Sequence, residues 1–251
     1  MIVRSNSTVL VTGAHGFFGK NIIAHFNGMG INSLNYTRRN SIQDLPDLIK
    51  KSEIIVHLAG ENRPVDTKNF DVVNAGLTES ICDVVRSTGK NIPIIFTSSV
   101  QANLDNPYGK SKLKAEKILK KFRAETGNSI YIYRLPRVFG KWCKPNYNSV
   151  VATFCYNIIH NLPIQVTDPF FEIDLVHIDD VIVEFIKVIR GDLDNKKVSS
   201  IQPEYSIIIS KLADQIKLFK ESGERLALDG VNDEFVSKLY STYISYIPKQ
   251  S

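Results

Sequence analysis

A tyrosine and a lysine four residues apart, Tyr108 and Lys112, stand in the stretch NPYGKSKLKAE at residues 106–116. In a chain with 10 tyrosines, chance alone supplies about one such pair, so the spacing says little by itself. The surroundings say more. Asn106 followed by Pro107 reads as an N-cap and a first helical residue, and a helix begun there puts Tyr108 and Lys112 on one face. Upstream, IIFTSS (94–99) is a strand-like run that ends in two serines. A phenol with an ordinary pKa of about 10 is a proton donor that a nearby ammonium makes more acidic. A serine hydroxyl beside it would hold a carbonyl oxygen and stabilise the negative charge developing there. Ser99, Tyr108 and Lys112 together fit the reduction of a ketone, with hydride supplied by a cofactor. Ser98 is adjacent and points to the opposite face if the strand continues, so the choice between the two serines stays open.

A hydride carrier would find its place near the N-terminus. VLVTGAHGFFGKNI (9–22) sets Gly13, Gly16 and Gly19 after a short apolar strand and at the opening of a helix. Such glycines permit a tight turn, close backbone approach to a pyrophosphate and close helix–strand packing, and the helix N-terminus favours the phosphate charge. His15 lies inside this loop, where it either meets a phosphate or faces solvent. The second strand closes on SLNYTRRN (33–40). An acid there would bind the ribose 2′-OH of NAD; Asn35 occupies that region instead, and Arg38 and Arg39 follow. Two guanidiniums without a carboxylate point to NADP(H), with Arg38 as the favoured contact.

These groups need a scaffold. TVLVT (8–12), INSLNYT (31–37), EIIVHLA (53–59), IPIIFTSS (92–99) and SIYIYRL (129–135) read as strands, with helical patterns between them at 19–30, 70–88 and from 107 onward. The alternation predicts an α/β fold, a Rossmann-type doubly wound parallel sheet with right-handed crossovers. From residue 136 the pattern weakens. PRVFGKWCKPNYNS (136–149) reads as a loop, 150–161 as a helix, FEIDLVHIDD (171–180) as a strand running into an acid-capped helix, and 207–221 and 232–246 as helices. The expected division is a dinucleotide-binding domain over 1–165 and a smaller α/β substrate-binding lobe over 166–251, packed on the carboxyl ends of the sheet.

The bulk numbers narrow the setting. A composition of 43% hydrophobic and 23% charged residues in a chain of 251 suits a sizeable soluble core. The net charge of +5 comes from scattered basic residues, so nucleic acid is not an expected partner. No apolar run suits a membrane span or a secretory signal, and Cys82, Cys143 and Cys155 lack any CxxC spacing. A reduced, cytoplasmic setting without disulfides follows. His25, His57, His160 and His177 are too dispersed for a ligand cluster, and no metal is expected.

Gly13, Gly16 and Gly19, HLAG (57–60), Asn74, Ser99, Tyr108 with Lys112, RLPRVFG (134–140) and VHIDDV (176–181) occur in an order that resembles the extended short-chain dehydrogenase/reductase family over essentially the whole chain. The resemblance implies an NADPH pocket built from Gly13, His15, Gly16, Phe17, Phe18, Gly19, Arg38, Leu58, Ala59, Gly60, Asn74, Tyr108, Lys112 and Pro136, with Lys112 bonded to the nicotinamide ribose. It also implies that Ser99, Arg137, Lys144 and Asn148 meet a UDP-linked keto-sugar, and that the chain forms a homodimer. Trp142 and Tyr147 either stack on uracil or anchor their loop.

DNPYGKSK (105–112), FGKWCKPNYNSVVATFCYN (139–157) and LYSTYISYIP (239–248) are similar to the reductase part of the CapF-type enzymes of capsule and O-antigen synthesis. In that group a C-terminal cupin domain epimerises C3 of a UDP-4-keto-6-deoxy-N-acetylhexosamine, and the reductase domain reduces the C4 ketone toward UDP-N-acetyl-L-fucosamine. The chain ends at residue 251, where the cupin would begin, so only the reductase step is implied. Eight residues separate Ser99 from Tyr108, a short gap lacking the Thr-Asp-Glu set of sugar 4,6-dehydratases, which argues against dehydration. The alternatives are a nucleotide-sugar 4-epimerase and a non-catalytic dinucleotide-binding protein.

Overall fold

The computed structural model describes residues 7–63, 66, 70–192, 198–222 and 233–248. In chain order the strands are β1 (Thr8–Thr12), β2 (Asn32–Tyr36), β3 (Ile54–His57), β4 (Ile94–Ser99), β5 (Ile130–Leu135), β6 (Arg137–Phe139), β7 (Glu172–His177), β8 (Val198–Ser199) and β9 (Tyr205–Ile208). The helices are α1 (Phe17–Met29), α2 (Leu45–Lys51), α3 (Leu77–Thr88), α4 (Pro107–Thr126), α5 (Val150–Ile159), α6 (Ile178–Arg190), α7 (Ile209–Ser222) and α8 (Glu234–Ile244). A π-helical turn, Asp71–Gly76, leads into α3, and a 3-10 turn, Val100–Asn103, follows β4.

The chain divides into two compact units, one drawn from Met1–Leu135 and Ile182–Ile201, the other from Pro136–Val181 and Gln202–Ser251. The single boundary expected at residue 165 is therefore replaced by one after Leu135, and the chain returns to the first unit at Ile182. Two contacts explain the return. β8 pairs in parallel with β5, and Phe185 of α6 lies 5.1 Å from the ring of Tyr133 on β5.

In the first unit six strands run in the order β2-β1-β3-β4-β5-β8, every pairing parallel. All residues of β3 and β4 are buried, which is why both open on apolar runs, IIV and IIF, instead of alternating apolar and polar residues. Leu10, Ile55, Ile94, Phe96, Ile130 and Ile132 share one core with Leu45 and Ile49 of α2, Ile81 and Val85 of α3, and Leu119 and Phe122 of α4. Successive strand residues point to opposite faces, so Tyr133 with Phe185 marks the other layer. The sheet is doubly wound, a Rossmann-like α/β fold as the strand–helix alternation predicts. From β1 the chain moves outward to β2 and then crosses back to β3 on the other side. The loops leaving β1 and β3 thus face one another at the carboxyl edge, the usual ligand crevice of open α/β sheets.

The second unit has a three-stranded sheet, with β6 parallel and β9 antiparallel to β7. Phe139, Phe154, Leu175, Leu212, Ile216 and Leu239 lie in its core. β6 falls inside the segment expected to be a loop, and β9 occupies the start of the helix expected at 207–221. Both are short strands created by pairing with β7, a non-local partner that a local pattern does not contain. Asp179 and Asp180 both lie in the first turn of α6, and Asp180 also ties α6 to α8: Lys238 Nζ lies 2.7 Å from its Oδ1 and 3.0 Å from the Tyr205 hydroxyl. Among the described residues no helix is long and apolar enough to cross a membrane.

Candidate active site

Helix α4 begins where local chemistry dictates. Asn106 is extended, its side-chain oxygen accepts from Gly109 N at 2.7 Å, and Pro107 fills the first helical position. Its buried face carries Gly109, Ser111, Lys112, Ala115, Glu116, Leu119 and Phe122. A Cβ on Gly109 would fall 2.0 Å from the carbonyl oxygen of Gln101, so only glycine lets α4 lie against the turn after β4. That contact brings Tyr108 beside Ser99, near enough for the serine to favour the phenolate. Ser99 also caps the 3-10 turn by accepting from Gln101 N at 3.2 Å.

Burial pushes the Tyr108 phenol above its ordinary pKa, and Ser99 pulls it part of the way back. The Lys112 ammonium has partners of its own in the site. Lys112 Nζ donates to the Thr97 carbonyl at 2.9 Å and lies 4.9 Å from the centroid of the Phe96 ring. Burial pushes the Lys112 amine down to about 8, and Glu116, one turn further along α4, opposes the fall. At neutral pH the site therefore presents a protonated phenol and an ammonium.

Ser98 has a different partner. Its hydroxyl donates to Glu116 Oε1 at 2.6 Å, and the Arg134 guanidinium grips both oxygens of that carboxylate at 2.8 Å. Burial alone would raise the Glu116 carboxyl, but the bonds from Arg134 and Ser98 outweigh it and hold it below the usual carboxylate range.

Asn74, in the π-helical turn, is almost fully buried and fully employed. Its amide nitrogen donates to Ser111 Oγ at 2.9 Å and to the Glu61 carbonyl at 3.0 Å, while its oxygen accepts from Glu61 N at 2.8 Å. Ser111 in turn donates to the Tyr108 carbonyl at 2.7 Å. A Cβ on Gly60 would lie 3.0 Å from Asn74 Oδ1 and 3.2 Å from Lys112 Nζ, which sets the HLAG loop directly over both side chains.

The fully buried His57 sets the same loop from below. Thr78 donates to the Asn74 carbonyl at 2.6 Å, so its oxygen is free to accept from His57 Nε2 at 3.0 Å. His57 Nδ1 then accepts from Thr12 at 2.7 Å, and Thr12 accepts from the N–H groups of Leu58 and Ala59. Burial, with a smaller contribution from Lys112, drives the imidazole down to about 3 and keeps it neutral. The sequence marks His57 only as a strand residue; two threonines ending or opening neighbouring elements were the available signal.

The glycine loop is shaped for a dinucleotide. Gly13 has φ +70°, and a Cβ there would meet Ala59 N at 2.8 Å. A Cβ on Gly19 would strike the Gly13 carbonyl oxygen at 2.4 Å. Gly16 caps α1 without a side chain, leaving its first-turn N–H groups open to a phosphate. His15 is exposed, and Phe17 and Phe18 meet edge to face at 5.2 Å. Arg38, 87% exposed, donates to Glu61 Oε2 at 2.6 Å.

The remaining expected residues belong to the second unit. The Arg137 guanidinium lies 5.9 Å from the Phe171 ring centroid, Lys144 Nζ lies 5.2 Å from that of Tyr147, and Asn148 is exposed. Pro136 opens that unit, half-buried. Trp142 is 43% exposed, and the loop that carries it is tied down where the Tyr246 hydroxyl donates to the Cys143 carbonyl. Among the described residues no group of three His, Cys, Asp or Glu side chains could hold a metal ion.

The chain is similar to several known proteins. A UDP-2-acetamido-2,6-beta-L-arabino-hexul-4-ose reductase from Pseudomonas aeruginosa is 46% identical over 244 residues, 97% of this chain and 66% of its own length. The crystal structure of the capsular polysaccharide assembling protein CapF from Staphylococcus aureus is 36% identical, with a TM-score of 0.84 over 96% of this chain and 65% of that one. The chain thus spans slightly less than two thirds of the length of both. A UDP-glucose 4-epimerase from Thermotoga maritima, 18% identical with a TM-score of 0.81, shares the fold over 95% of this chain and 98% of its own. Residues 9–199 match the NAD dependent epimerase/dehydratase family, to which this chain belongs.

Proposed function

We propose that the chain reduces the C4 ketone of a UDP-linked 4-keto-6-deoxy-N-acetylhexosamine with NADPH, toward UDP-N-acetyl-L-fucosamine or a related 6-deoxy amino sugar of capsule or O-antigen. Likeness to a hexul-4-ose reductase and to CapF supports the substrate class. Arg38, with no acid at Asn35, supports the phosphorylated cofactor. Bound NADPH would supply the hydride that adds to C4. Tyr108 gives its phenolic proton to the ketone oxygen, which becomes the new hydroxyl, and Ser99 donates a hydrogen bond to that oxygen as charge builds on it. Lys112 and Asn74 line the floor beneath the HLAG loop, where Lys112 is assigned the nicotinamide ribose. Pro136 is assigned to the cofactor, and Arg137, Lys144 and Asn148 to the sugar nucleotide. Pairing into a homodimer follows from the same resemblance, and a reduced cytoplasmic setting from the spacing of Cys82, Cys143 and Cys155.

The placing of Ser99 beside the Tyr108 phenol, where Gly109 of α4 abuts the turn after β4, carries the reading. The two make a proton-donating pair set at the carboxyl edge of a parallel sheet, beside a loop shaped for a dinucleotide. NADPH oxidation measured with the keto-sugar product of a 4,6-dehydratase, and with its C3 epimer, tests it. A folded protein that turns over neither ketone would remove the reductase assignment. Interconversion of C4 epimers with no net NADPH use would assign a 4-epimerase instead.

A further inference from the structure

We infer that Glu61 is a specificity-determining residue for the cofactor, a fixed carboxylate that competes with a 2′-phosphate for the Arg38 guanidinium. The inference rests on the reading of the glycine loop as a dinucleotide site. The two partners are held very differently. Glu61 has a side chain only 16% exposed, and its main chain is clamped on both sides by the Asn74 carboxamide, N–H to Oδ1 at 2.8 Å and carbonyl from Nδ2 at 3.0 Å. Asn74 is 1% exposed and bonded to Ser111 on α4, so the carboxylate stands on a rigid base. Arg38 stands just beyond β2, 87% exposed, and reaches Glu61 across 23 positions of sequence. The acid is therefore set by the protein, and the guanidinium is set by the acid.

Chemistry gives this pair a consequence for ligand choice. A ribose 2′-hydroxyl is neutral and leaves the ion pair undisturbed. A 2′-phosphate monoester needs the same guanidinium donors and brings negative charge toward a carboxylate whose main chain is clamped beside it. Position 35, in the region where a dinucleotide-binding fold places the acid that binds the ribose 2′-hydroxyl, holds an asparagine, so Glu61 brings a carboxylate back from a different loop. The result is a site that accepts NADP(H) through Arg38 yet discriminates weakly against NAD(H).

Equilibrium binding of NADP⁺, NAD⁺ and 2′,5′-ADP by titration calorimetry tests this on wild type, Glu61→Gln, Glu61→Ser, Arg38→Ala and the Arg38→Ala/Glu61→Gln double variant. Both Glu61 variants remove the charge while leaving the main-chain clamp to Asn74 in place. Each should tighten NADP⁺ and 2′,5′-ADP by about five- to tenfold, with NAD⁺ within twofold of wild type. The gain should vanish in the Arg38→Ala background. Unchanged or weaker NADP⁺ binding in both Glu61 variants, with NAD⁺ binding intact, would overturn the inference. Failure of the folded wild type to bind either dinucleotide would instead remove the dinucleotide site, and this inference with it.

Discussion

Ser98 donates its hydroxyl to Glu116 at 2.6 Å, while its neighbour Ser99 stands beside Tyr108 and accepts from Gln101 N at 3.2 Å. The two serines end the same strand and face different turns of α4. Ser98→Ala removes one of the bonds to a buried carboxylate that Arg134 still grips, so it should cost about 1 kcal/mol in denaturant melts with kcat nearly unchanged. Ser99→Ala should lower kcat by about 10²-fold with little loss of stability. The reverse pattern would reassign the catalytic serine.

The Tyr108 phenol should act only as a proton donor at neutral pH. Burial holds its pKa above the ordinary value, so no phenolate forms in the working range. Tyr108→Phe keeps the ring contact with Phe70 at 5.9 Å and should fold normally. Its kcat on the keto-sugar should drop by about 10²- to 10⁴-fold while NADPH binding persists. A variant that retains wild-type turnover would remove Tyr108 from the mechanism.

Lys112 gives the site a pH limit. With its amine pushed down to about 8, the ammonium is lost as pH rises through that value, and kcat/KM should fall there. The effect on stability has the opposite sign. Between about 8 and the unfolded value near 10.4, the unfolded chain binds the proton that the folded chain has released, so this group's contribution to stability rises with pH. Across that window wild type should gain about 3 kcal/mol relative to Lys112→Met, read from urea melts at paired pH values.

The parts of the site that were legible in the sequence are those fixed by local chemistry. The glycines of 13–19 and the Asn106-Pro107 start of α4 carry their geometry within one turn, and the structure places them as read. What stayed hidden joins residues far apart in the chain. Glu61 meets Arg38 across 23 positions, and His57 meets Thr12 across 45. Ser98 meets Glu116 across 18 positions, a partner that the strand pattern does not announce. β6 and β9 likewise exist through pairing with β7, not through a pattern of their own.

His57 should make the fold acid-sensitive. Its imidazole stays neutral in the folded chain down to about 3, whereas the unfolded chain takes up a proton near 6.5. Stability is therefore complete above 6.5 and is lost progressively as pH falls toward 3. His57→Gln lacks this proton uptake, so the difference in stability between wild type and variant should shrink on going from pH 7 to pH 4. Equal slopes in the two proteins would mean that His57 is not held neutral.

Gly109 is where backbone shape and chemistry meet. An added methyl would lie 2.0 Å from the Gln101 carbonyl, and backbone must move because no flexible side chain is there to yield. Gly109→Ala should therefore pry the start of α4 from the turn after β4, cost about 2–3 kcal/mol, and lower kcat more than KM by pulling Tyr108 off Ser99. Gly28, near the end of α1, has nothing within 4 Å of the same methyl. Gly28→Ala should stabilise by up to about 1 kcal/mol through helix propensity alone and leave kcat untouched. Similar effects from both substitutions would mean that the glycine at 109 serves helix flexibility and not the close approach that sets the proton donor.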